Sequence, residues 1–341
     1  MSIAIAATRD RATDRRVIAL WLFVIAALVF VMVAVGGITR LTDSGLSIVE
    51  WKPVTGILPP MSEAAWTAEF EKYKAFPEYQ KINRGMDLEG FKSIYWPEYW
   101  HRVLGRLIGF AFAVPFAVFF LTGRIERALV PRLLLLFVLG GAQGALGWFM
   151  VKSGLVDRPD VSQYRLTAHL GLAVLLYWLI LKAALQLWRP AAPVLAPRGL
   201  AYAGLGLVYL QILLGGLVAG LDAGMIYNTW PLMDGSVVPT HLIFSETPLW
   251  LNFFENVATV QCQHRLGAYV VTLVLLLLWW RSRTTALAGT ANLVLAALAL
   301  QMVLGVTTLL HVVPLLLAAL HQLGALLLLS TLIVYTNRAA K

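Results

Sequence analysis

Six histidines punctuate the chain, and four of them, His101, His169, His264 and His321, fall within long apolar stretches. Ionisable side chains inside a membrane are costly and face the interior of a bundle. Each of the four lies two helical turns or less from one end of its stretch. At 1.5 Å rise per residue this puts them at matched depth, roughly 5 to 12 Å below one surface. Two neutral imidazoles on facing helices form an axial pair for a haem iron, with the neighbouring apolar side chains covering the macrocycle. The spacing predicts two such pairs, His101 with His169 and His264 with His321. Zinc requires three or four ligands in one place, and a di-metal carboxylate centre requires Glu-x-x-His twice over. Neither pattern is present. The single cysteine, Cys262, excludes an intrachain disulfide, a cysteine zinc site and an iron-sulfur cluster held by this chain alone.

The two pairs differ in their neighbours. Glu98 precedes His101 by one helical turn, so the two side chains share a face, whereas the residue three before His264 is Gln261, which cannot exchange a proton. Chemistry is therefore expected at the first pair and electron transfer or structure at the second. Stabilisation of Glu98 by a helix N-terminus is the competing account. Arg102 and Arg265 directly follow two of the histidines. Pairing with porphyrin propionates and snorkelling to lipid headgroups are both open to them. His241 and His311 have no repeat partners and read as surface residues. Gln143, Gln211 and Gln301 read as interhelical hydrogen-bonding groups.

The elements that must position these residues are membrane helices. Of 341 residues, 59% are hydrophobic and only 13% charged, about half the charge of a soluble domain, and the mean hydropathy is +0.75. A secreted or cytosolic enzyme is excluded. The net charge of +9 is not gathered into a basic and aromatic module, so nucleic acid is set aside as a partner; the surrounding partner is membrane lipid. Eight stretches are long enough to span, at about 17 to 38, 99 to 121, 131 to 151, 164 to 187, 199 to 219, 256 to 280, 287 to 309 and 313 to 336. Arg9, Arg11, Arg15 and Arg16, then Arg124, Arg127 and Arg132, then Arg189 and Arg198, then Arg281 and Arg283, and finally Arg338 and Lys341 gather on one side. By the positive-inside rule that side is cytoplasmic, and both termini lie there. The first span reads as an uncleaved anchor rather than a signal peptide. The opposite side carries loops at 39 to 98, 152 to 163 and 220 to 255, and a short turn near His311. The aromatic stretch Phe91 to Trp100 in the first loop is a candidate lid over the first pair.

An internal repeat organises the spans. Gly36, Gly37, Asp43, Gly45, Trp51 and Gly56 recur at one offset, 179, as Gly215, Gly216, Asp222, Gly224, Trp230 and Gly235. Gln143 and Gly147 answer to Gln301 and Gly305, His101-Arg102 to His264-Arg265, and His169 to His321. Four spans per copy is an even number, so the copies are parallel repeats. The predicted architecture is an all-α membrane protein of two four-helix bundles: a cytoplasmic segment 1–16, a first bundle 17–190 and a second 191–341.

With these residues in view the chain resembles the haem A synthase family over nearly its whole length. The likeness rests on the segment from Gly36 to Ser47, on Glu98-Tyr-Trp-His101-Arg, Thr167-Ala-His169-Leu-Gly, Gln263-His264-Arg-Leu-Gly and His321-Gln-Leu-Gly. The resemblance implies an oxidoreductase that converts a ring methyl of haem O, through an alcohol and a hydrated aldehyde, to the formyl group of haem A for terminal oxidases. It implies a haem b cofactor on His264 and His321, substrate haem O on His101 and His169, and a catalytic carboxylate at Glu98. Cysteine pairs found in the outer loops of many bacterial members are absent, which points to the proteobacterial and mitochondrial branch and removes a disulfide role. Asp10 and Asp14 argue against a mitochondrial presequence, leaving a bacterial inner membrane. A working relation with haem O synthase is implied as well. The electron-transfer partner and any homo-oligomer stay unassigned.

Two rivals remain at this level. A non-enzymatic di-haem b-type electron carrier would spread its haems between the two surfaces, against the matched depth of the histidines. A parallel-repeat transporter would need a hydrophilic path at the midplane, for which three glutamines are too few.

Overall fold

The computed structural model describes residues 10–51, 56–154, 161–188 and 196–339. Arg9, Arg189 and Lys341 lie outside the described residues. Among the described residues, eight helices are long and apolar enough to cross a membrane: α1 (Arg11–Leu41), α2 (Leu88–Leu121), α3 (Val130–Gly154), α4 (Gln163–Trp188), α5 (Arg198–Gly220), α6 (Val257–Ser282), α7 (Ala288–Leu310) and α8 (Leu315–Arg338). The protein is an all-α membrane protein. Its lipid-facing girdle is apolar, with Leu107, Phe110, Leu135, Val138, Leu273 and Val303 all exposed, as expected where the solvent is hydrocarbon.

Local signals set the helix ends. The Asp10 carboxylate caps α1 by accepting from Ala12 N at 2.9 Å, and Asn256 caps α6 by accepting from Thr259 N at 2.7 Å. Past their C-termini, α1 and α5 turn at Asp43 (φ 46°) and Asp222 (φ 49°). Aspartate is one of the few residues that tolerates this left-handed conformation, and the two turns stand at the repeat offset of 179. Between α7 and α8 the chain reverses at Val312 and Val313, both left-handed (φ 58° and 57°).

Helix α2 departs from expectation. It starts at Leu88, eleven residues before the predicted span, where the Asp87 carboxylate accepts from Gly90 N. The stretch from Phe91 to Trp100 is therefore helix, not a loop-borne lid. The helix persists beyond the apolar run because Phe91, Tyr95 and Tyr99 are buried with Phe70 and Tyr73 of a second outer helix, Glu63–Lys74. The rings of Phe70 and Phe91 stack at 5.1 Å, and Tyr99 Oη donates to Ile57 O at 2.6 Å. Lys72 of that helix donates to Glu69 (2.7 Å) and Glu50 (3.0 Å). Those two carboxylates, Glu69 first, raise its ammonium above the ordinary lysine value.

Packing closes the helices into rings. α1 meets α2 and α4, and α3 meets both α2 and α4; α5 meets α6 and α8, and α7 meets both α6 and α8. Contacts of α1 with α8, and of α4 with α5 and α8, join the rings. The fully buried apolar side chains concentrate along this seam, among them Leu22, Ile25, Val174, Leu205, Leu329 and Leu332. At the outer end Arg40 crosses the seam, donating to Ala219 O at 2.8 Å and to Asp222 at 2.7 Å.

Candidate functional site

His101 stands on α2, His169 on α4, His264 on α6 and His321 on α8. The last three lie six or seven residues inside their helix starts, ~10 Å along the axis. α2 and α4 both pack against α1 and α3, and α6 and α8 both pack against α5 and α7, so the members of each pair stand on helices of one ring. The structure thus brings together the residues that the sequence pairs.

Each imidazole rests on a glycine of a neighbouring helix. A Cβ added at Gly36 of α1 would approach His101 Nε2 to 3.3 Å, and one at Gly215 of α5 would approach His264 Cε1 to 3.2 Å. The same construction at Gly147 of α3 reaches His169 Cε1 at 3.0 Å, and at Gly305 of α7 it reaches His321 Cε1 at 2.8 Å. Carbon atoms prefer ~3.5 to 4.0 Å, so only glycine lets the rings lie flat on these helices. The repeat marks the glycines in the sequence but gives no sign of what they touch.

Glutamines complete the surroundings of three histidines. Gln143 Nε2 donates to His169 O at 3.1 Å and lies 3.2 Å from its Nδ1. Gln211 Nε2 donates to His264 O at 2.8 Å and lies 3.0 Å from its Nδ1. Gln301 lies against Gly324, one turn beyond His321. The buried Oε1 atoms of all three glutamines, and His321 Nδ1, have no partner among the described residues. An imidazole that ligates a metal through Nε2 carries its proton on Nδ1. At His169 and His264 the glutamine side chain is the group beside Nδ1. The donor set, two imidazoles per ring with orphaned acceptors behind them, fits a haem iron with histidine on both sides.

The acid and the arginines form a matched pair of clamps. Glu98, 2% exposed, accepts from Ser47 Oγ and Ile48 N, both at 2.7 Å, and from Arg102 Nε (3.0 Å) and Nη2 (2.6 Å). Arg102 also donates to Ile48 O (2.7 Å) and Glu50 O (3.1 Å). In the second ring Arg265 donates to Gln261 Oε1 (2.8 Å), Tyr227 O (2.7 Å) and Thr229 O (2.8 Å). The carbonyls 48 and 50 answer to 227 and 229 at the repeat offset of 179. Gln261 Nε2 meanwhile donates to Ala223 O and Ile226 O, both at 2.5 Å. Where Glu98 receives N–H groups, Gln261 supplies them. Each arginine thus gives at least two donors to loop carbonyls, partners that no sequence motif announces.

The matching faces of α3 and α7 also differ. Aligned on Gln143 and Gln301, the glycines 140, 141 and 144 of α3 answer to Leu298, Ala299 and Met302 of α7. A Cβ at Gly140, Gly141 or Gly144 would meet nothing within 4 Å, whereas Leu298 is buried in the core. His241 is exposed and lies 3.2 Å from Asp234. His311 ends α7, with its Nδ1 2.9 Å from Thr307 O. Neither joins the pairs.

Comparison with known proteins agrees with this picture. A family profile described as cytochrome oxidase assembly protein matches residues 19–333. A protein of Parvibaculum lavamentivorans named Heme A synthase is 54% identical over 331 residues, covering 96% of each chain. Proteins of the same name from Nitrosospira multiformis (51% identical; 94% of this chain, 93% of the relative) and Rhodospirillum centenum (52% identical; 98% and 91%) are comparably similar. With a profile spanning both histidine pairs and relatives matched almost end to end, the chain belongs to the cytochrome oxidase assembly protein family, the family of the haem A synthases.

Proposed function

We propose that this chain is a haem A synthase, an oxidoreductase that converts a ring methyl of haem O to the formyl group of haem A. The observation that carries the reading is the pair of facing histidine couples, each seated on glycines, with a carboxylate beside only one of them. His101 and His169 would bind the iron of haem O, and His264 and His321 that of a haem b cofactor. Bound haem b supplies one-electron chemistry next to the reacting site.

In this reading the glycines set where each imidazole would meet its haem, and Gln143 and Gln211 brace the helix backbone at His169 and His264. Glu98 holds Arg102 and residues 47–50 in place across the outer end of the first ring. It accepts four hydrogen bonds on its two oxygens. The two rings are the two units of the sequence repeat, residues 17–190 and 191–341. Both termini lie in the cytoplasm of a bacterial cell, and both haem sites open toward the outer face of the inner membrane.

Pigment extraction from a host that makes haem O and no haem A tests the reading. Expression of this chain should yield haem A or its hydroxymethyl precursor. A host that still contains haem O alone, with the chain present in its membranes, overturns it.

A further inference from the structure

A cavity of about 250 Å³ opens between the end of α3 and the segment that follows α1, lined by Ile48, Trp51, Arg102, Trp148, Val151 and Lys152. Its walls adjoin both members of the first histidine pair. Arg102 follows His101, and Trp148 follows Gly147, the glycine beneath His169. Two cations face this space. The Arg102 guanidinium lies 5.4 Å from the Trp51 ring centroid, and Lys152 Nζ lies 5.0 Å from that of Trp148. The lining carboxylate, Glu50, is engaged by Lys72 at 3.0 Å. Lys152 has no anionic partner among the described residues, and four of the five Arg102 N–H groups are already committed. The second ring has no such arrangement: Leu310 stands where Lys152 stands in the first.

We infer that this cavity is a carboxylate subsite, in which Lys152 and the remaining Nη1–H of Arg102 receive the propionate edge of the tetrapyrrole held between His101 and His169. The inference rests on the proposed placement of haem O in the first ring. One preorganised guanidinium and one ammonium converge on this space, and a charge-assisted hydrogen bond is about twice as strong as a neutral one. Because Lys152 belongs to the first ring alone, it gives the substrate site an anchor that the second site lacks, one that does not depend on the iron.

Titration of purified protein, its second site already filled with haem b, with haem O and separately with haem O dimethyl ester tests the subsite, with Soret absorbance reporting binding. Lys152→Gln should weaken haem O by roughly tenfold, the low end for a hydrogen bond to a charged group. It should leave the ester, which has no carboxylates, unchanged. Lys152→Arg should restore most of the loss. Equal affinity of wild type and Lys152→Gln for haem O refutes the subsite, as does an equal loss for acid and ester. If wild type binds neither form while retaining haem b, the placement of haem O in the first ring fails instead.

Discussion

Replacement of Gly305 by alanine separates folding from ligand geometry. The new Cβ would stand 2.8 Å from His321 Cε1, short of a comfortable carbon contact by at least ~0.7 Å. The ring can escape by turning on its side-chain bonds, and a ~30° departure from a rotamer costs only about 0.5–1.5 kcal/mol. The protein therefore yields at the histidine rather than at the backbone. Alanine also gains about 0.5–1 kcal/mol of helix propensity over glycine, which offsets much of that strain. A metal–ligand bond tolerates only ~0.2 Å, so the shift falls on the iron. Gly305→Ala should keep its helical circular dichroism and melting temperature within a few degrees of wild type, yet lose most of its low-spin b-type absorbance. Gly206→Ala on α5, where a Cβ meets nothing within 4 Å, gains the same propensity and should keep the pigment. Gly215→Ala, at 3.2 Å from His264, should fall between them. A fully pigmented Gly305→Ala protein would refute the role given to these glycines.

Other perturbations probe the remaining parts. Protein purified from cells that lack haem O should show a low-spin b-type spectrum that disappears in His264→Ala; a colourless wild type contradicts the assignment of haem b to the second ring. Glu98→Gln should fold, because Gln261 occupies the equivalent place beside Arg265. It leaves the Ile48 amide without its acceptor, at about 1–3 kcal/mol. Haem b should persist while haem A formation drops at least tenfold, and normal turnover would remove Glu98 from the reaction. Arg40→Ala deletes the link to Asp222 across the seam. With both partners part-exposed, denaturant titration should register less than ~1 kcal/mol, and a loss of several would mean that the seam depends on this contact.

Much of this was legible from residue types alone. Apolar run length located all eight helices, because a bilayer demands ~20 residues of hydrocarbon-compatible helix and nothing else in the chain imitates that. The histidines and Glu98 stood out because ionisable groups are scarce in such helices. What composition concealed was set by contacts between distant segments. The outer extension of α2 carries Lys92, Pro97 and Glu98 and reads as loop; it is helix because Phe70 and Tyr73, some twenty residues away, bury its aromatic face. Beyond Glu98 and Gln261, the partners of Arg102 and Arg265 are backbone carbonyls, identical in every residue and so invisible to any motif. Lys152 looks like an ordinary basic residue at a helix end until Trp148, Trp51 and Arg102 are seen around the same cavity.

The carbonyl clamps bear on how the two halves of a sequence repeat can come to differ. A guanidinium that grips main-chain oxygens at positions 48 and 50, or at 227 and 229, fixes the path of a segment without reading its side chains. Ile48 and Glu50 in one copy have accordingly become Tyr227 and Thr229 in the other, while the backbone geometry is held in common. Side chains over each bundle mouth are thereby released from the task of shaping the loop. They are free to diverge, so that one mouth can change in shape and charge while the backbone of the other stays as it was.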